Sequence, residues 1–157
     1  MSELKFEVCV ATLEDVDLLV NHRLKMVKEI FPQYASQVQC IESQTREWIS
    51  KKLSDGKLIG FIAKTQDGQA AGSGCIWIRE TQPSVITRCL EAPYLMSVYT
   101  EERFRRKGVA RLVAQTALSW CKTQGYDRIN LHASENARQL YESLGFEPTS
   151  EMRLWLN

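Results

Sequence analysis

Residues 94–111 have the sequence Tyr-Leu-Met-Ser-Val-Tyr-Thr-Glu-Glu-Arg-Phe-Arg-Arg-Lys-Gly-Val-Ala-Arg, and this stretch decides the fold. Its apolar first part, 94–100, predicts a strand, and an amphipathic helix is predicted over 108–124. The loop between them is basic at 103–107. Cations are unfavourable at the start of a helix, because its free N–H groups already carry partial positive charge. A bound anion would reverse that effect, so the stretch predicts a phosphate site at the helix N-terminus.

Charge placement alone leaves a second interpretation open. Glu101 and Glu102 precede the basic residues, and all of these groups could be solvated surface charges that offset one another. Gly108 and Ala110 favour the phosphate site. A glycine lets the backbone approach a ligand without an intervening Cβ, and the small alanine leaves the next turn open.

A second informative segment follows the predicted helix. Residues 131–146 have the sequence Leu-His-Ala-Ser-Glu-Asn-Ala-Arg-Gln-Leu-Tyr-Glu-Ser-Leu-Gly-Phe, starting within a predicted strand over 128–133. A short helix is predicted over 136–144 and ends at Gly145. Spacing alone makes Tyr141 a core aromatic residue of this helix. It shares one helical face with Ala137, Leu140 and Leu144.

The rest of the chain alternates between strand and helix patterns. Two helices are predicted near the N-terminus, one between Thr12 and Pro32 and one over 43–54. An Asp-Gly turn at 67–68 predicts a hairpin. The predicted strands cover 5–10, 58–65, 70–79, 94–100, 128–133 and 152–156. The element order β-α-α-β-β-β-α-β-α-β lacks a regular βαβ repeat, so it predicts an α/β (α+β) fold with helices packed against a mixed sheet.

Composition limits the classes of function. The 157 residues predict a single domain over 1–157, and the net charge of +1 gives no reason to expect nucleic acid. The longest apolar stretch is shorter than the roughly 18 residues of a membrane span, and the charged N-terminal segment is unlike a signal peptide. Five scattered cysteines without a Cys-x-x-Cys pair predict reduced thiols in a cytoplasmic protein. We therefore expect neither a nucleic-acid, a membrane nor a metal partner.

Both informative segments resemble the GNAT superfamily of acyl-coenzyme A-dependent N-acetyltransferases. Residues 105–110, Arg-Arg-Lys-Gly-Val-Ala, fit its (Arg/Gln)-x-x-Gly-x-(Gly/Ala) signature between a strand and a helix. Residues 136–146 look like its Asn-x-x-Ala-x-x-Leu-Tyr-x-x-x-Gly-Phe ending, with a shortened spacing between Asn136 and Tyr141. The resemblance is strong over 94–146 and topological before it. It implies a mixed, mostly antiparallel central sheet of roughly six to seven strands, about four flanking helices and a splayed pair of strands at the cofactor.

The resemblance also implies a binding site for acetyl-coenzyme A. The N–H groups of 106–110 and the neighbouring basic side chains are expected to hold its pyrophosphate. The backbone of 98–100 is expected to pair with its pantetheine arm as an added strand. Ser134 and Asn136 match positions that often hydrogen-bond the cofactor. The expected cofactor-binding residues are Val98, Tyr99, Thr100, Arg105, Arg106, Lys107, Gly108, Val109, Ala110, Ser134 and Asn136.

The implied activity is direct transfer of an acetyl group from acetyl-coenzyme A to a primary amine in a ternary complex, without a metal. Tyr141 matches the family's general acid, which would protonate a departing thiolate with a solution pKa of about 8.5. The superfamily fixes no position for the general base. Topology offers Glu29, Glu80 and Glu91 as candidates, and His132 is expected to be structural.

The acceptor is expected to be a small-molecule amine, because the chain has no acidic tract to receive a polyamine or a basic protein tail. We expect it to bind between the first two helices and the loop 80–92. Aromatic surface there would come from Phe31, Pro32, Tyr34, Trp48 and Trp77. The sequence leaves a homodimer open.

Two other classes of function compete with this one. A GNAT fold that senses acetyl-coenzyme A without turnover is the alternative, and Tyr141 argues against it because a pure binder needs no acid. A dinucleotide-binding enzyme should carry Gly-x-Gly-x-x-Gly after the first strand. Residues 11–15, Ala-Thr-Leu-Glu-Asp, contain no glycine, which excludes that class.

Overall fold

The computed structural model describes residues 5–156 and builds them around a five-stranded sheet. Residues 1–4 and 157 of the predicted domain lie outside the described residues. The strands are β1 (Phe6–Val10), β2 (Leu58–Thr65), β3 (Ala70–Glu80), β4 (Glu91–Thr100) and β5 (Asn130–Leu131). The α-helices are α1 (Val16–Ile30), α2 (Glu42–Ser54), α3 (Val109–Thr123) and α4 (Arg138–Ser143), and a 3-10 segment, Pro32–Ile41, joins the first two.

The sheet has the order β1-β2-β3-β4-β5, in which the first four strands are antiparallel and β5 runs parallel to β4. The predicted mixed, mostly antiparallel sheet with four helices is therefore confirmed. The predicted count of six to seven strands is wrong. Residues 152–156 do not form a strand, and the strand predicted over 128–133 shrinks to β5. A strand needs a neighbour to complete its ladder, and two-residue β5 offers almost none. Met152 and Leu154 consequently remain 93% and 81% exposed.

Two apolar clusters form, one on each face of the sheet, because successive strand residues point to opposite faces. On one face, α1 and α2 bury Val20 and Ile49 against Ile62 of β2. On the other face, α3 buries Val113 against Ile76 of β3. Each residue named here is at most 5% exposed, so both layers are well packed.

Two glycines of β3 let α3 lie unusually close to the sheet. A Cβ on Gly72 would come within 2.6 Å of the Tyr99 carbonyl oxygen and 2.8 Å of Val109 Cγ1. A Cβ on Gly74 would come within 2.8 Å of Val113 Cγ1. Carbon atoms pack at about 3.5–4.0 Å, so larger residues would push the helix away. The glycines thereby bring the start of α3 beside the end of β4.

Strand β4 contains a bulge at Ser97. Between the Ser73–Tyr99 and Cys75–Met96 pairs, two residues of β4 face one residue of β3. Ser97 has a φ of 55°, in the left-handed region, which costs a non-glycine residue about 1–2 kcal/mol. Strain of this kind tends to be kept at functional sites.

Strands β4 and β5 diverge beyond a short parallel contact. Their described pairing consists of Tyr94 with Asn130 and Leu95 with Leu131. Past this point no strand within residues 5–156 pairs with the edge of β4 that faces β5, and a gap opens between the two strands. The predicted splayed pair of strands is therefore confirmed.

Candidate active site

A cleft of about 580 Å³ opens where β4 and β5 diverge. Small-molecule sites commonly have volumes of about 300–1,000 Å³. Met26, Glu29 and Ile30 of α1 complete its wall. Lys107, predicted to bind the cofactor, does not line it, and its Nζ instead donates to the Arg103 carbonyl oxygen at 3.1 Å. The other predicted cofactor-binding residues all line the cleft: Val98, Tyr99, Thr100, Arg105, Arg106, Gly108, Val109, Ala110, Ser134 and Asn136.

The start of α3 supplies free N–H groups to this cleft. Gly108 is the N-cap residue with φ 80°, and Arg106 before it has φ 60°. Left-handed residues in such a loop can turn successive N–H groups towards one point, a geometry that binds anions. The Leu112 N–H donates to the Gly108 carbonyl at 2.9 Å, so the N–H groups ahead of it lack a partner inside the helix. A Cβ on Gly108 would meet nothing within 4 Å, so this turn is open to a ligand.

Arg105 is held at the cleft by three contacts, two with β4 and one with α1. Its Nε donates to the Thr100 carbonyl at 3.1 Å, and its terminal nitrogen donates to Glu29 Oε1 at 2.6 Å. The guanidinium also lies 5.6 Å from the centre of the Tyr99 ring. The hydrogen bond to Glu29 raises the pKa of Arg105. An incoming phosphate would therefore compete with the Glu29 carboxylate for this cation.

The structure separates the three carboxylates considered as general bases. Glu29 lines the cleft but is engaged with Arg105. Glu80 and Glu91 face each other at the far end of the β3–β4 ladder, and Glu91 pairs with Lys57. Six residues of strand separate Glu91 from the bulge, or about 20 Å at roughly 3.3 Å per residue. Glu80 and Glu91 therefore do not reach the cleft.

Tyr141 lies beside the cleft rather than in its wall. It lines a neighbouring cavity with His132 and Ala133, on the segment that splays from β4. Its ring packs edge-on against Phe146 at 5.8 Å, and the residue is 7% exposed. Burial raises the pKa of Tyr141 to about 12. The hydroxyl is therefore protonated at neutral pH, as a proton donor must be. Tyr141 is thus a core residue whose hydroxyl could still serve as an acid.

His132 has both ring nitrogens engaged. Nε2 lies 3.0 Å from a terminal nitrogen of Arg153, which can only donate, and Nδ1 lies 2.7 Å from the Tyr94 hydroxyl. In the neutral ring Nε2 then accepts and Nδ1 donates. This arrangement agrees with the structural role predicted for His132.

A buried histidine links α1 to β3 and to the residue that follows β4. The sequence analysis did not identify it. His22 is fully buried on α1, with Nδ1 2.7 Å from Ser73 Oγ and Nε2 3.1 Å from Glu101 Oε1. Burial lowers the pKa of His22, so the ring is neutral at pH 7. A carboxylate accepts only, so Nε2 carries the proton and Nδ1 accepts from the Ser73 hydroxyl. The signal was a polar residue on the apolar face of α1, between Leu19 and Met26.

Lys25 completes this cluster by holding Glu101 ionised. Its Nζ donates to Glu101 Oε1 at 2.8 Å. Burial alone would raise the pKa of Glu101, but the hydrogen bond and charge of Lys25 outweigh it and lower that pKa. The cluster of His22, Ser73, Glu101 and Lys25 ties α1 to β3 and to the start of the basic loop.

A third, smaller cavity of about 40 Å³ lies between α1, α2 and the sheet. We call it the acceptor-side cavity. It matches the predicted acceptor region in part, because Trp48 lines it and Trp77 packs against Trp48 at 5.4 Å. Phe31 and Tyr34 are instead exposed. Its wall also includes Leu19, Arg23, Ser73, Cys75, Met96 and Ser97.

Similarity to known proteins identifies the family. A model described as the acetyltransferase (GNAT) family matches residues 19–146, which is most of the chain. The protein belongs to this family. Both segments that resemble the superfamily, 105–110 and 136–146, lie within the matched range, and in this GNAT chain both contribute residues to the cleft.

Curated relatives of this GNAT chain are N-acetyltransferases. Human N-acetyltransferase 8 is 25% identical over 91 residues, which cover 49% of this chain and 40% of that protein. Glucosamine 6-phosphate N-acetyltransferase from Arabidopsis thaliana is 24% identical over 100 residues, covering 64% and 65%. The chain thus covers less than two thirds of the length of either relative.

Solved structures share the fold over nearly the whole chain. A GCN5-related N-acetyltransferase from Ralstonia eutropha JMP134 superimposes with a TM-score of 0.89 at 22% identity, covering 97% of this chain and 99% of that one. A predicted acetyltransferase from Clostridium acetobutylicum, solved with acetyl-CoA, has a TM-score of 0.84 at 24% identity, covering 98% and 96%.

The side chains of the GNAT chain also bear on metal binding, membrane insertion and thiol chemistry. Among residues 5–156, no group of three or more His, Cys, Asp or Glu side chains could hold a metal ion. Within the same range, every helix is too short or too polar to cross a membrane. All five cysteines are free thiols, and Cys75 and Cys121 are buried.

Proposed function

We propose that this GNAT chain transfers the acetyl group of acetyl-coenzyme A to the primary amine of a small molecule, by direct attack in a ternary complex. The observation that carries the proposal is the cleft between β4 and β5. It has an anion-binding helix start at one end and the strained bulge of β4 beside it. A long cofactor with a pyrophosphate near one end and a thioester at the other suits this shape.

The cofactor would be held largely by backbone groups. The free N–H groups at the start of α3, with Arg105 and Arg106, would receive the pyrophosphate. The unpaired edge of 98–100 would hydrogen-bond the amides of the pantetheine arm as an added strand. The acetyl-CoA in the Clostridium acetobutylicum structure supports this choice of cofactor.

The chemistry needs an uncharged amine, an electrophile and an acid. The ammonium group first gives a proton to water, and the amine nitrogen then forms a bond to the thioester carbonyl carbon. The carbon–sulfur bond breaks, the sulfur leaves as a thiolate, and the nitrogen passes a second proton to water to become an amide. A backbone N–H at the bulge would stabilise the negative charge that develops on the carbonyl oxygen. Tyr141 would donate its proton to the thiolate from the β5 side of the gap, and a pKa of about 12 keeps that proton in place beforehand.

The competing function is an acetyl-coenzyme A sensor without turnover. The acceptor-side cavity favours the enzyme, because Ser97 of the bulge lines that cavity while Val98 lines the cleft. Two ligands could therefore meet at the bulge. A sensor has no use for a second binding site there.

Calorimetric titration with acetyl-coenzyme A tests the proposal. We expect binding in the micromolar range and a rise in the thermal midpoint, since a ligand at 100 times its Kd stabilises the folded state by about 2.7 kcal/mol. No heat and no shift at millimolar cofactor would overturn the proposal. A panel of small amines assayed for thiol release then separates enzyme from sensor. Tight binding without thiol release from any amine would favour the sensor.

A further inference from the structure

Arg23 differs from two other arginines of the structure, Arg46 and Arg105, which pair with carboxylates of α1. Arg23 of α1 is partly buried and lines the acceptor-side cavity, yet within residues 5–156 no carboxylate lies at ion-pair distance from it. Withdrawing a charge from water without a partner is costly. A cation kept in this state suggests an anion supplied by a ligand.

The one other titratable group in the wall of this cavity cannot neutralise Arg23. Cys75 also lines the cavity, and burial raises the pKa of its thiol to about 12. The thiol is therefore uncharged at neutral pH. Burial also lowers the pKa of Arg23, although a guanidinium remains protonated. The cavity thus contains one fixed positive charge among the groups described.

The size and walls of the cavity restrict the anion. A volume of about 40 Å³ is room for roughly three water-sized groups, taking about 10–15 Å³ for each. A carboxylate fits that space. Leu19, Trp48 and Met96 provide apolar surface, which lowers the local dielectric and strengthens attraction to Arg23.

The cavity also brings the cation close to the bulge. Arg23 and Ser97 line the same small space. An acceptor whose carboxylate contacts Arg23 would therefore hold an adjacent amine at the bulge, where the next residue, Val98, lines the cleft of the proposed thioester. A molecule with a short separation between amine and carboxylate suits both contacts, because the space that they share is small.

We propose that Arg23 binds the carboxylate of the acceptor, and that the acceptors of this protein are α-amino acids rather than simple amines. This inference rests on the proposed acetyl transfer and narrows its substrate class. Arg23 is a specificity residue that positions the amine for attack. A guanidinium suits this task because its parallel N–H groups can bind both oxygens of a carboxylate.

Matched substrate pairs test this inference directly. L-methionine is compared with 3-(methylthio)propylamine, L-phenylalanine with phenethylamine, and L-leucine with isoamylamine. Each pair differs only by the carboxylate. We expect kcat/KM to be roughly 10- to 100-fold higher for the better amino acids, as for a charge-assisted hydrogen bond, with most of the difference in KM.

Variants then assign the preference to Arg23. Arg23→Met should abolish it while leaving acetyl-coenzyme A affinity unchanged, and Arg23→Lys should restore part of it. Arg46→Met is the matched control, because it removes the same charge from the neighbouring helix at a half-buried position outside the wall of the cavity. The control should keep the wild-type preference.

Binding of the products provides a readout without turnover. Two products, N-acetyl-L-methionine and N-acetyl-3-(methylthio)propylamine, are titrated into the coenzyme A-bound wild type. Only N-acetyl-L-methionine, which carries the carboxylate, should bind well. Equal kcat/KM for both members of every pair, or a preference that survives in Arg23→Met, would mean that Arg23 is simply a solvated cation. Either result would overturn the inference. Amine acetylation would then still stand. If Arg23→Met does not fold, the wild-type comparisons decide the question. Absence of acetyl-coenzyme A binding would instead overturn the proposed function.

Discussion

The two sides of the β4 bulge are built in different ways. The cofactor cleft draws its residues mainly from two short segments, 98–111 and 134–140, and offers free backbone N–H groups at the start of α3. The acceptor-side cavity draws side chains from α1, α2, β2, β3 and β4, scattered between residues 19 and 97. A site made of backbone needs only a few permissive residues in a row, so it leaves a short motif. A site made of side chains leaves no such motif.

The largest effect should follow from blocking the free backbone N–H groups of the cofactor cleft. Gly108→Glu places a carboxylate where the pyrophosphate is expected, and we expect cofactor affinity to fall by more than about 100-fold through charge repulsion. Gly125→Glu is the matched control. Gly125 also has a positive φ and open space around it, but lies at the other end of α3.

Both glycine variants carry the same backbone strain of about 1–2 kcal/mol, so their thermal midpoints should fall alike. Calorimetric titration with acetyl-coenzyme A then separates the effect of backbone strain, which both variants share, from loss of the pyrophosphate site, which only Gly108→Glu should show. Equal affinities in the two variants would mean that the start of α3 is an ordinary solvated surface.

Substitution of Tyr141 tests whether its hydroxyl protonates the departing thiolate. Tyr141→Phe should lower kcat by roughly 100-fold, the usual contribution of a positioned acid, while cofactor affinity is retained because the ring still packs against Phe146. Tyr126→Phe, whose ring lies 6.2 Å from Trp120, is the control and should leave kcat unchanged. Unchanged turnover in Tyr141→Phe would make Tyr141 a core residue only. Lost affinity would mean that its hydroxyl holds the cofactor.

Substitutions of Arg105 and Glu29 test whether the Glu29 carboxylate competes with the cofactor for the Arg105 guanidinium. Arg105→Ala should weaken acetyl-coenzyme A binding by roughly 10-fold, as expected for loss of a charge-assisted hydrogen bond. Glu29→Gln should strengthen binding a few-fold, because it frees Arg105 from a competing carboxylate. Titration of both variants measures these shifts. A Glu29→Gln variant with normal affinity and much slower turnover would instead make Glu29 the general base.

The smallest effect concerns the buried cluster around His22, which ties α1 to β3 and to the start of the basic loop. His22 has a lowered pKa in the folded state, so the unfolded chain binds more protons as the pH falls below about 6.5. Folding stability should therefore be complete above that pH and decrease below it, by at most about 1.4 kcal/mol per pH unit.

Chemical denaturation from pH 7.5 to 5.0 measures this slope, and His22→Gln should flatten it. His132→Gln, a variant of a histidine outside the cluster, is the control. Glu101 also loses stabilising charge on acidification, but at lower pH because its own pKa is lowered. An unchanged slope in His22→Gln would show that other groups control the acid sensitivity.

Most of the fold could be predicted from local patterns. Helical spacing predicted α1 to α3 to within a few residues, and the Asp-Gly turn predicted the β2–β3 hairpin. The strand predicted over 152–156 failed because strand formation depends on a partner, and β5 is too short to provide one. The bulge at Ser97 was also unpredicted, because nothing in Met-Ser-Val distinguishes a left-handed serine from an extended one.

The sequence by itself determined the family and the residues around the cofactor cleft, because contiguous residues fix the backbone geometry at 105–110. Only the tertiary structure decided which distant side chains meet. It engaged Glu29 with Arg105, buried His22 between Ser73 and Glu101, and placed Arg23 beside the bulge at ion-pair distance from no carboxylate of residues 5–156. Contacts across dozens of residues depend on how helices pack on the sheet, and spacing along the chain does not encode that packing.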